Sequence, residues 1–154
     1  MTILIIGWGN PLAGDDGLGW AAAERVRDRL RGVPDVEVVA TARGALRVAE
    51  RMLGHDRVIV LDAAVGEGFG IVRSEIRPAE MDDDQPVGHD GTLHDAISAL
   101  RRLGGDGLPE RIVLLSVPIP TPRDWCDEVS DAASEAAAQL ANAAIAELEG
   151  IAVG

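Results

Sequence analysis

Ile3-Leu4-Ile5-Ile6-Gly7-Trp8-Gly9-Asn10-Pro11-Leu12-Ala13-Gly14-Asp15-Asp16-Gly17-Leu18-Gly19 reads as a short buried strand, a glycine-rich turn and the start of a helix. The apolar head, Ile3 to Ile6, makes the strand, and a helical pattern runs from Leu18 to about Leu30. Glycine-rich turns between strand and helix usually aim free backbone N–H groups at a phosphate. Here two adjacent aspartates stand where the anion would sit, and Leu12 occupies the third glycine position of a Gly-x-Gly-x-x-Gly fingerprint. Both features exclude a dinucleotide and favour a cation. One aspartate is expected to cap the helix N-terminus, a task the residue does well, which leaves the other free.

Outward from this turn the chain alternates strand and helix. Val36 to Ala40 is a second strand after the Pro34-Asp35 turn, and Ala45 to Leu53 is helical. Val58 to Leu61 is apolar throughout, as a central parallel strand buried on both faces should be. Ile71 to Ile76 alternates and reads as a half-exposed edge strand. Too few residues separate it from the third strand for a parallel crossover, which takes about a dozen or more, so it should run antiparallel. Pro78 to Gly91 is a long polar loop. Thr92 to Leu103 is a helix whose Leu93, Ile97, Leu100 and Leu103 form one apolar face. Ile112 to Val117 is the fifth strand, followed by the proline-rich Pro118 to Pro122. Asp127 or Ser130 starts a long alanine-rich helix ending near Gly150. The expected architecture is a single α/β domain over residues 1–154. It is a three-layer α/β/α sandwich, whose five-stranded, mostly parallel mixed sheet has one antiparallel strand.

Composition narrows the partners. The net charge of −12 disfavours nucleic acid and acidic membrane surfaces. All 14 basic residues are arginine, so lysine chemistry is absent. Cys126 is the single cysteine, which excludes an internal disulfide and a cysteine zinc knuckle. Its acidic neighbours Asp124, Asp127 and Glu128 make it a poor nucleophile, and it reads as structural. With no signal-like segment and no apolar run of membrane length, a cytoplasmic monomer is expected.

Three residues carry candidate chemistry. Asp62 ends the third strand, at the carboxyl edge where open α/β sheets bind ligands. The first turn opens on the same edge, so Asp16 can approach Asp62. His89 lies in the loop before the helix that starts near Thr92, and that loop can reach the same crevice. Two carboxylates and an imidazole suit a divalent transition metal with open positions. His94, on the helix, reads as a surface or partly buried side chain, and His55 should sit at the opposite edge of the sheet. No Gly-x-Ser-x-Gly elbow accompanies the five serines.

The pattern Gly7-x-Gly9-Asn10-x-x-x-Gly14-Asp15-Asp16-Gly17-x-Gly19 resembles the opening signature of the nickel–iron hydrogenase maturation endopeptidases. Asp62-Ala63 and the His89 loop follow in the same order. Glu128-Val129-Ser130 falls where that family often has Gly-Leu-Ser. The chain departs from the family at Thr41-Ala42-Arg43-Gly44, where many members carry Asp-Gly-Gly. The resemblance implies an α/β/α sandwich of phosphorylase/hydrolase-like type and removal of a C-terminal extension from a hydrogenase large-subunit precursor after nickel insertion. It implies nickel contacts at Asp16, Asp62 and His89, with the two aspartates as catalytic candidates. The nickel is expected to come with the precursor, and another divalent ion could take its place in vitro. Two rival readings remain open: a metal-dependent hydrolase with its own ion, and a non-catalytic protein that senses metal status.

Overall fold

The computed structural model describes residues 1–68, 70–82, 92–104, 106–120 and 129–153. Five strands form one sheet: β1 (Ile3–Trp8), β2 (Val36–Thr41), β3 (Arg57–Val65), β4 (Val72–Ile76) and β5 (Arg111–Ile119). Four helices accompany them: α1 (Leu18–Arg29), α2 (Ala45–Met52), α3 (Leu93–Arg102) and α4 (Asp131–Val153). The strand order is β2-β1-β3-β5-β4. All pairings are parallel except that of β4 with β5, so the edge strand is antiparallel as its short connection requires.

Alternation along the central strands sorts the core into two layers. Ile5, Ile59, Leu61, Val113 and Leu115 face α1 and α4. Leu4, Ile6, Val58, Val60 and Ile112 face α2 and α3. The buried residues of α4 are mostly alanine: Ala133, Ala136, Ala137, Ala141 and Ala144 with Leu140. Small side chains at this helical spacing let α4 lie close against α1 and the sheet.

The strands run longer than their apolar runs suggest. β1 continues through Gly7 to Trp8, because Gly7 is buried against α1 rather than turning away. Asp62 therefore lies inside β3, not at its end. Its row reads Thr41, Trp8, Asp62 and Ser116 across β2, β1, β3 and β5. β1 stops in that row, and β3 and β5 pair on to Val65 and Ile119. β5 passes through Pro118 because β4 begins in the row of Ser116, so no β4 residue lies opposite the proline to pair with it.

Two helix ends also differ from expectation. Leu103 does not join the apolar face of α3: it is 83% exposed, because it lies past the last turn and leads into Gly104 at φ +106°. α4 continues through Gly150 to Val153, since that glycine sits in open space where helical φ/ψ meets no obstacle. The alternative helix start at Asp127, most of the loop before α3 and Cys126 lie outside the described residues. Among the described residues, no helix is long and apolar enough to cross a membrane.

Candidate active site

The sheet changes direction between β1 and β3. α1 carries the chain from β1 outward to β2, and the next crossover returns it to the far side of β1. Open α/β sheets bind ligands outside the carboxyl ends of strands at such a switch point. Asp16 lies in the turn that follows β1 and Asp62 lies within β3, the two strands that flank it.

Close backbone approach explains the glycines around Asp16. A Cβ on Gly19 would stand 2.5 Å from the carbonyl oxygens of Leu61 and Trp8, both backbone atoms. A Cβ on Gly7 would collide with the carbonyl of Gly19 and lie 2.6 Å from Cβ of Ala23. α1 thus starts directly against β1 and β3. A Cβ on Gly9 would overlap the carbonyl of Asp16, so the loop folds back tightly onto the acidic turn. The glycine spacing is thus a packing pattern, not a phosphate cradle.

Neither aspartate caps α1. The N-cap is Gly17, with no side-chain cap, because a 3-10 turn, Gly14–Gly17, stands between the loop and the helix. This turn moves both carboxylates ahead of the helix, and they part company there. Asp15 accepts from the backbone N–H of Ser130 at 2.8 Å and from its hydroxyl at 3.0 Å. The Ser130 hydroxyl oxygen in turn accepts from the N–H of Ala133 at 3.2 Å, capping α4. Asp15 is therefore a structural tie between the first turn and the last helix. Asp16 accepts from the N–H of Asn10 at 2.9 Å through one oxygen, and Asn10 Oδ1 closes the loop by accepting from Leu12.

Asp62 is partly buried, and its Oδ1 accepts from the N–H of Ala63 at 2.8 Å. Burial pushes its carboxyl pKa up to about 7. The Ala63 N–H opposes that shift, and the charge of Asp16 adds to it. The two carboxylates thus sense one another across the switch point. A divalent cation there would relieve both the burial penalty and the mutual repulsion, and carboxylate oxygens suit such an ion.

His89 lies outside the described residues. Asp62 follows Val58 and Val60 on the face covered by α2 and α3, and α3 begins just after the His89 loop. Among the described residues, no three of His, Cys, Asp and Glu gather closely enough to hold a metal ion. His55 sits between α2 and β3, away from the switch point, with Nε2 3.2 Å from Glu37. His94 is exposed on the first turn of α3.

Sequence reading missed Ser130 as the partner of Asp15. The hydroxyl three residues before a buried alanine was the visible signal for a cap, but nothing in the spacing named its second partner. It also missed two indoles that fasten the rim. Trp8 Nε1 donates to the carbonyl of Arg43 at 2.7 Å, and Trp20 Nε1 donates to the carbonyl of Gly9 at 2.8 Å.

No protein-family model and no curated protein matches the sequence. Solved structures do match. The hydrogenase maturating endopeptidase HybD from Escherichia coli is 24% identical, with a TM-score of 0.67 over 97% of this chain and 93% of that one. The [NiFe] hydrogenase maturation protease HycI from Thermococcus kodakarensis is 26% identical, with a TM-score of 0.64 over 95% of this chain and 90% of that one. An endopeptidase from Escherichia coli is 23% identical, with a TM-score of 0.70 over 97% and 93% of the two chains. This chain has their α/β fold and resembles the hydrogenase maturation endopeptidases over nearly its whole length.

Proposed function

We propose that this protein is an endopeptidase that removes the C-terminal extension of a nickel–iron hydrogenase large-subunit precursor in the cytoplasm, after nickel has been inserted. One observation carries the reading. Asp16 and Asp62 share the switch point, with Asp62 pushed up to about 7, in a chain similar to hydrogenase maturation endopeptidases.

Nickel here belongs to the substrate. Asp16 and Asp62 offer oxygen donors, and His89 a nitrogen donor, to the open side of an ion the precursor already holds. The electrostatics support recognition of a loaded precursor over an empty one. At neutral pH Asp62 divides between its protonated and charged forms, and an approaching cation draws the charged form. An empty precursor leaves two carboxylates facing each other with nothing between them. The bound nickel can also polarise the scissile carbonyl as a Lewis acid. Hydrolysis adds a water oxygen to the carbonyl carbon, breaks the C–N bond and passes a proton to the departing amine. A carboxylate beside the scissile bond can take that proton from the water and return it.

The test uses nickel-loaded and nickel-free precursor, with cleavage followed by mass. Wild-type protein should cut only the loaded form. Asp16→Asn, Asp62→Asn and His89→Ala should each slow cleavage by about 100-fold or more while circular dichroism stays unchanged. Normal cleavage by these variants would remove the trio from the reaction.

A further inference from the structure

On the other side of β1 from Asp62, a groove of about 400 Å³ opens between the β2 edge of the sheet and α2. Val39 and Val48 give it apolar walls, and Thr41, Arg43, Arg47 and Arg51 give it polar ones. The arginines recur every fourth residue, so those on α2 share one helical face. In a chain with 26 acidic and 14 basic residues, this concentration of positive charge runs against the whole.

The groove connects to the candidate site through one row of the sheet. Thr41, Trp8 and Asp62 are register partners across β2, β1 and β3. Two interstrand spacings put Thr41 about 10 Å from Asp62. Trp8 packs in the α2 and α3 layer, and its indole holds the Arg43 carbonyl, so this ring lies between the acid and the groove mouth. An extended chain covers that distance with about three residues. α2 then carries the arginine row onward by about 6 Å from Arg47 to Arg51.

The existing partners of these arginines leave them available. Arg47 pairs with Glu50 at 3.1 Å and Arg51 pairs with Glu37, and every one of these side chains is more than a third exposed. Exposed pairs of this kind contribute little and re-pair readily. The Arg43 guanidinium has no acidic partner among the described residues. The carbonyl of Val38 on β2 already accepts from Arg27 at 3.2 Å, which covers part of the strand edge. Side-chain charge, more than strand addition, is therefore what the groove offers a peptide.

We infer that this groove receives an extended acidic segment of the substrate, beginning about three residues from the cleaved bond, with Arg43, Arg47 and Arg51 binding its carboxylates. The inference rests on the endopeptidase reading for the word substrate, and on the groove alone for the acidic peptide.

The experiment uses the full chain and a fluorescein-labelled ten-residue peptide with three aspartates among alanines, beside the same peptide with asparagines. Anisotropy should show the aspartate peptide binding about tenfold or more tightly, with affinity falling as salt rises. Arg43→Glu combined with Arg47→Glu should erase that preference. Arg31→Glu, at the far end of α1 and paired with Asp28, should keep it. Equal binding of the two peptides, or a preference that survives the double substitution, overturns the inference, whether or not the precursor is cleaved. A preference lost in the double variant supports the groove. If wild-type protein then fails to cleave nickel-loaded precursor, the endopeptidase reading falls and the acidic-peptide site stands.

Discussion

Asp62 is a carboxylate held where its charge is unfavourable, and that has a consequence for stability as well as chemistry. Its folded pKa, about 7, lies above the ordinary aspartate value of 3.8. The folded state therefore binds more protons than the unfolded chain between these two values, and stability falls as pH rises through that window. At 1.36 kcal/mol per pKa unit the penalty at pH 8 is about 2 to 4 kcal/mol. Asp62→Asn keeps an oxygen to accept from Ala63 and cannot ionise. Urea unfolding should find this variant more stable than wild type at pH 8 by that amount, and nearly equal to it at pH 4. Equal stability at both values would show that Asp62 is not buried as charged. The candidate was legible in the sequence because an acid at the carboxyl edge of a buried strand stands out. The division of labour between Asp15 and Asp16 was not. It is set by Ser130, 115 residues away in the chain from Asp15, and no local pattern names such a partner.

At the level of elements, the strand, turn and helix from Ile3 to Arg29 form one unit whose geometry depends on missing side chains. Gly19 brings the first turn of α1 against backbone oxygens of β1 and β3 that have no room to move. Gly19→Ala should cost about 3 kcal/mol or more, since overpacking here must shift backbone rather than a flexible side chain. Gly44, by contrast, faces open space at φ −69°, and Gly44→Ala should change stability by well under about 1 kcal/mol. A second element contact, Asp15 with Ser130, joins the acidic turn to α4. Asp15→Ala and Ser130→Ala should each cost about 1 to 2 kcal/mol and be non-additive when combined, which a double-mutant cycle reads directly. The same unit shows why the strand ends were misjudged. A glycine usually signals a turn, but Gly7 remains in the strand because it is the contact point for α1.

Across the whole molecule, the layer order and the antiparallel edge were legible because they follow from connection length and apolar periodicity. The row that joins Thr41, Trp8 and Asp62 was not, because it depends on register between three strands. Long-range charge was equally hidden. Glu75 on β4 accepts from Arg73 at 2.6 Å and from Arg111 on β5, and Arg73 also donates to Glu147 on α4. Hydrogen bonds from Arg111 and Arg73 hold the Glu75 carboxyl down to about 2, below the ordinary glutamate value of 4.5. Its contribution is present above 4.5 and is lost as pH falls toward 2. Asp62 acts with the opposite sign from the other side, and a net charge of −12 at pH 7 adds self-repulsion as pH rises. Together they place maximum stability near pH 4, where the two windows meet. The urea midpoint should therefore be highest near there and lower at both pH 3 and pH 8. Glu75→Gln should flatten the acid limb, and Asp62→Asn the alkaline one. Added salt at about 0.5 M should raise the alkaline limb by screening the repulsion between exposed carboxylates. A midpoint that climbs steadily from pH 5 to pH 8 would mean that neither the buried acid nor the net charge governs the stability of this fold.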